Sequence, residues 1–286
     1  MMSLRFHLSS PATCVIGFSG VPLRAAFLNL LRSYDRDLSA QVHGEAGPRA
    51  YSIDPFRCNT RFQTHFEQGE EYDFGVNIFS PSRFQGMLRN IAMTRNHKMR
   101  ILHYGFSLRR VDMQQMTAKS LMEQWLAERP DSGNRPLRMR FHFRTPTQFS
   151  SFGSDRAYLL PTPEKIFSSL LKVWRTMEQS VTVERSGAYR DWITENVFVS
   201  GHRLQTVRVP LGRGRSLMGF VGNVEYSMEP SDDPLANLTY CLARFAELSN
   251  IGKNRSAGFG KVEVEIGDRT MRDRKRVRRS SVFSAG

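Results

Sequence analysis

Residues 128–145, ERPDSGNRPLRMRFHFRT, decide how the chain is read. Two prolines, a glycine and polar residues make 128–136 a linker. From 137 to 145 apolar and polar residues then alternate with the period of a strand. Upstream, 3–9 (SLRFHLS) alternates in the same way. Pro22 opens a helix with Leu23, Phe27, Leu30, Leu31 and Tyr34 at helical spacing, and a second helical stretch, DRDLSAQV, ends near His43 and Gly44. Strands follow in 50–56, 61–67 and 72–80, then a helix over 81–91, further strand over 99–113 and a helix at 121–127. Downstream the order begins again. Thr162 and Pro163 start a helix with Ile166, Phe167, Leu170, Leu171 and Trp174 on one face. Strands are expected at 202–211 and 216–228. A helix from Asp233-Pro234 buries Leu235, Leu238, Leu242 and Phe245, and a strand at 259–266 closes the pattern.

Each half reads strand, helix, strand, strand, helix, strand. This predicts an α+β fold of two tandem ferredoxin-like (RRM-like) domains, 1–130 and 136–267, each an antiparallel sheet with helices on one face. The open sheet faces are expected to be free for single-stranded RNA. Residues 268–286 have no apolar period and read as a basic disordered tail.

The 286 residues contain no apolar run long enough to span a membrane, and the first residues lack a secretory signal, so a cytoplasmic protein is expected. Cys14, Cys58 and Cys241 are widely spaced, and neither CxxC nor HExxH occurs. No metal site and no cofactor is expected. The net charge is +14. Seven basic and two acidic residues lie in 268–286, so +9 belongs to the body. A basic body favours a polyanionic partner, and arginine suits forked phosphate contacts.

The segment 250–266, NIGKNRSAGFGKVEVEI, places glycines and cations directly before a strand. Its amides can hold an anion, and Lys253 and Arg255 add charge. Neither the phosphate-loop spacing nor a dinucleotide fingerprint is present. A flexible connection with incidental charges fits the residues equally well. IGKNRSAGFGKVEVE (251–265) resembles the C-terminal glycine-rich loop of the RAMP superfamily of CRISPR-associated proteins, specifically of the endoribonuclease that processes precursor CRISPR RNA. RTPTQF (144–149), PTPEKIFSSLLKVW (161–174), MGFVGNVEYSM (218–228) and DLSAQVHGEAGPRAYSIDPF (37–56) resemble other segments of that family, in the same order.

The resemblance implies a metal-independent endoribonuclease that binds CRISPR repeat RNA. A 2′-hydroxyl attacks the adjacent phosphorus, leaving a 2′,3′-cyclic phosphate and a 5′-hydroxyl. His43 matches the family's N-terminal histidine, a residue type suited to proton transfer near neutral pH. Arg49 falls where relatives carry a basic residue and is expected to stabilise the phosphorane charge. A tyrosine that some relatives place in the first helix is replaced here by Leu28, with Tyr34 and Tyr51 as nearby substitutes. On residues alone, His43 reads first as a helix-terminal histidine facing the dipole. RNA contacts are expected from Gly252, Lys253, Asn254, Arg255, Ser256, Gly258 and Gly260, and from Arg213 and Arg215 in the turn 210–219. His202 is a second candidate histidine. The partners implied are precursor crRNA and other CRISPR-associated subunits. The alternative function is a non-catalytic RAMP subunit coating guide RNA in an interference complex.

Overall fold

A computed structural model describes residues 1–44, 49–58, 61–91, 97–151, 154–177, 186–212 and 214–267. The first half runs β1 (Met2–Ser9), α1 (Gly20–Tyr34), α2 (Arg36–Gly44), β2 (Tyr51–Asp54), β3 (Glu71–Ile78), α3 (Gln85–Ile91), β4 (Lys98–Ile101) and β5 (Tyr104–Gln115). The strands form one sheet in the order β2-β3-β1-β5-β4, with every pair antiparallel. Without β4 this is the ferredoxin-like order. The stretch read as one strand over 99–113 is instead the hairpin β4–β5, turned at Leu102 with φ of 58°, and β4 extends the sheet at its edge. Of the sequence 61–80, only Glu71–Ile78 joins this sheet; Arg61–Phe62 and His65–Phe66 are short separate pairings.

After α4 (Ala118–Ala127) the second half runs β6 (Leu137–Thr147), α5 (Pro163–Met177), α6 (Ser186–Asn196), β7 (Val197–Gly212), β8 (Arg215–Met228), α7 (Pro234–Ser249) and β9 (Val262–Ile266). The sheet order is β7-β8-β6-β9, the ferredoxin-like arrangement again. Local signals explain the helix starts. The Asp233 carboxylate accepts from the Leu235 amide at 2.8 Å with Pro234 at the first helical position. Thr117 and Ser120 cap α4 reciprocally.

Each sheet buries its own core. The first centres on Phe6, Phe27, Phe56 and Phe74, the second on Phe141, Phe167, Trp174 and Phe245. Helix α4 precedes the linker, yet its Leu121 and Trp125 pack into the second core, with Trp125 6.3 Å from Trp174 between ring centroids. Helix α6 was not anticipated. Its Tyr189 and Ile193, one turn apart, are buried there, and the Tyr189 hydroxyl lies 3.0 Å from that of Thr239.

The open sheet faces differ from the expectation. Arg-Phe-His occurs at 5–7 and again at 140–142, on the matching central strands β1 and β6. In each case Phe turns into the core while Arg and His turn outward. Arg5 pairs with Asp73, and His7 reaches Asp112 at 2.8 Å and Glu71 at 3.2 Å. Arg140 pairs with Glu225, His142 lies 3.4 Å from Glu265, and Arg144 pairs with Glu263 at 2.5 Å. Both faces therefore carry arginine–carboxylate pairs and histidine–carboxylate contacts along their central strands. Among the described residues, charged and polar side chains, not aromatic rings, occupy these outward positions of the central strands, unlike the platform on which an RRM stacks bases.

Candidate active site

The glycine-rich loop joins the two halves. Asn250, Gly252, Asn254, Gly258 and Gly260 all have positive φ, between 57° and 81°. A Cβ on Gly260 would stand 1.8 Å from the Ile251 carbonyl oxygen, and one on Gly258 2.6 Å from Pro55 Cγ, so glycine is required at both. Across the junction Ser52 Oγ and Asn77 Nδ2 donate to the Leu248 carbonyl at 2.7 and 2.8 Å, and Asn250 Nδ2 donates to that of Ile53 at 2.9 Å. The Lys261 ammonium pairs with Asp54 at 2.7 Å and donates to the Glu247 carbonyl at 2.5 Å. The loop is thus a packed joint between α7, β9 and strand β2 of the first sheet, and the flexible-connection reading does not describe it.

This packing sorts the predicted loop residues. Arg255 is 6% exposed, donates to the Ser249 carbonyl at 3.2 Å and lies over the Phe79 ring. Burial pushes its pKa down to about 10. Its guanidinium holds the joint together rather than facing outward. Ser256, Gly258 and Gly260 are buried too, and Gly252 is half-buried. Lys253, half-buried, and Asn254, exposed, are the loop side chains that reach the surface. Arg213 lies outside the described residues, as does the tail 268–286. Arg215 is exposed at the start of β8. The hairpin that carries it folds onto the loop: Val209, Leu211 and Leu217 cluster with Ala257 and Phe259 and with Phe18 and Val21 beside α1. The rings of Phe18 and Phe259 are 4.5 Å apart. His202 is exposed on β7.

His43 ends α2 and is exposed. Arg49 turns back onto that helix end and donates to the carbonyls of Val42 and, at 3.0 Å, His43. The guanidinium therefore answers the C-terminal dipole, the role that could have fallen to His43. Next along is Tyr51, which is fully buried. Burial raises its pKa, opposed by the adjacent Arg24 and Arg49 guanidinium groups and by Ser256 of the loop. Arg24 Nε is buried without a hydrogen-bond partner among the described residues, while the Arg24 guanidinium and the Ser256 hydroxyl lie against the Tyr51 hydroxyl. His43, Arg49, Tyr51, Arg24 and Ser256 thus form a strip along the seam between α1, α2 and the loop. It contains an ionisable ring, two cations, a phenol and a hydroxyl.

Arg24 was not singled out in the sequence. It stands one turn before Leu28 on α1, hence on the same side of the helix. Leu28 itself is buried in the first core. The helix that lacks the expected tyrosine supplies a guanidinium instead.

Residues 141–262 match the family described as CRISPR-associated endoribonuclease Cas6. No curated protein matches the chain. Solved structures match along nearly the whole length. Thermus thermophilus Cas6 (TTHB231) superposes with a TM-score of 0.63 at 20% identity, covering 92% of this chain and 98% of its own. The product complex of Cas6 (TTHB231) gives 0.69 at 19% identity, covering 92% and 99%. A RAMP protein binding different RNA substrates gives 0.54 at 12% identity, covering 93% and 100%. The chain thus carries the sequence pattern of the Cas6 family over residues 141–262, and its fold throughout is similar to that of Cas6 and RAMP structures.

Proposed function

We propose that this protein is an endoribonuclease that processes CRISPR RNA, and that it cuts the repeat without a metal ion. The observation that carries this reading is the cluster of Arg24, Arg49, Tyr51 and Ser256, which Arg49 ties to the helix end that bears His43. Its makeup suits transesterification at phosphorus. The 2′-hydroxyl gives up its proton as its oxygen bonds to phosphorus. The bond to the 5′-oxygen breaks, and that oxygen takes a proton. The products are a 2′,3′-cyclic phosphate and a 5′-hydroxyl. His43 handles one of the two proton transfers. Arg24 and Arg49 hold the charge of the phosphorane, where cations in a partly desolvated seam act more strongly than in water. Tyr51 and Ser256, both buried, lie behind these cations and hold Arg24 in place.

Lys253 and Asn254 extend the strip along the loop surface, and Arg215 and Arg208 extend it along the hairpin. Lys253→Ala is expected to weaken repeat binding and to lower the slope of log affinity against log salt by about one. A fluorescence titration across a salt series measures both, and an unchanged slope removes the loop from the interface.

The chemistry is tested with repeat RNA in EDTA. A cut that persists in EDTA and yields a 2′,3′-cyclic phosphate, and is lost when the ribose at the cut is 2′-deoxy, is the expected result. A cut that needs a divalent ion, or that survives the 2′-deoxy change, contradicts it.

A further inference from the structure

The long hairpin β7–β8 bends at Gly222, which has φ of 120°. A Cβ there would stand 2.1 Å from the Arg203 carbonyl oxygen, so only glycine allows β7 to come this close. On the open face of the second sheet the bend creates a cleft of about 320 Å³, lined by Arg203, Leu204, Gln205, Val221, Gly222 and Asn223. Its surroundings are unequal. On one side are the histidine–carboxylate contacts, where the Asn223 side-chain oxygen lies 2.8 Å from His142 Nδ1 and His142 Nε2 lies 3.4 Å from Glu265. On the other is the apolar contact of Val209 and Leu217 with Phe259 and Phe18, against which the hairpin meets the loop and α1.

We propose that this cleft holds one unpaired nucleotide of the bound RNA and reads its base. The proposal rests on the RNA-processing reading above and adds to it a position that selects sequence. Gln205 and Asn223 each present a carboxamide, and a carboxamide offers the adjacent donor and acceptor that a base edge requires. The Asn223 side-chain oxygen is engaged by His142 Nδ1 at 2.8 Å, which leaves its amide group for a ligand in the cleft that Asn223 lines. Arg203 and Gln205 are exposed, and no side chain among the described residues occupies them. Val221 gives the base face an apolar contact, while Leu204 packs toward the second core. The nearby carboxylates do not repel an anion, because Glu225 already pairs with Arg138 and Arg140, and Glu265 lies within ion-pair reach of Arg140 and His142. Gln205 precedes Val209 by four strand residues, about 13 Å at the usual rise. The cleft thus lies a short way along the hairpin from its contact with the loop.

The test is an abasic scan of the repeat RNA, read as equilibrium affinity for the full chain and for Gln205→Ala/Asn223→Ala. With the natural protein, one unpaired position is expected to cost about tenfold when its base is removed. In the double variant that position is expected to cost less than about twofold, while other positions keep their cost. Gln205→Ala alone, a change at an exposed strand position, is expected to show part of the same loss. Equal costs at every position in all three proteins overturn the cleft while leaving RNA processing intact. A natural protein that does not bind the repeat at all overturns both.

Discussion

Lys261→Met lowers the free energy of unfolding by about 3–5 kcal/mol. The Lys261 side chain is 6% exposed and that of Asp54 12%. Removing the ammonium leaves a carboxylate inside the joint with no counter-charge. Asp54 Oδ1 already has no hydrogen bond, so no second partner takes over. The loss is expected to appear as a lower denaturation midpoint, with the seam between the halves opening first. Lys261→Met/Asp54→Asn is expected to recover most of the stability, because the penalty lies in the stranded charge and not in the missing pair. Chemical denaturation of the three proteins measures this. A single variant within about 0.5 kcal/mol of the natural protein would show that the pair does not hold the joint.

His43→Ala is expected to slow cleavage of bound repeat by about 10²–10⁴-fold while repeat affinity stays within about twofold. The reasoning is local. His43 is exposed at a helix end, and Arg49, not its imidazole, answers the terminal carbonyls. Deleting the imidazole therefore removes a proton carrier without removing a structural contact, and such surface changes alter stability by about 0.5 kcal/mol or less. Arg49→Ala is a different kind of change. It removes charge from the seam and also uncaps α2, so its effect on cleavage comes with a loss of stability.

The tandem fold was legible because its helices announce themselves. Ile166, Phe167, Leu170, Leu171 and Trp174 recur at helical spacing and are all buried. Asp233 and Pro234 start α7 as their types predict. Helix α6 was missed because, among its described residues, Tyr189 and Ile193 alone face fully inward, too few for a visible period. The open faces were misjudged for a different reason. Alternation shows that Arg140 and His142 point away from the core, but their carboxylate partners come from distant strands and local spacing carries no trace of them.

The loop shows the same limit more sharply. Glycines and cations read alike in a mobile phosphate-binding loop and in a packed joint. What separates the two is Asp54, 207 residues before Lys261 in the chain, together with the Leu248 carbonyl that Ser52 and Asn77 reach. Of the candidate site, His43 and Arg49 were found through a family resemblance, whereas Arg24 emerged from its position beside Tyr51.

The account turns on whether the seam at His43 is where RNA is cut. The most direct measurement is single-turnover cleavage of the repeat in EDTA by the natural protein and by His43→Ala, with affinity measured on the same samples. Cleavage by the first and a loss of about 10²-fold or more in the second, at matched affinity, is the predicted result. Tight binding by both with cleavage by neither would contradict it and make the protein a holder of guide RNA. Equal cleavage by both would move the reaction away from His43.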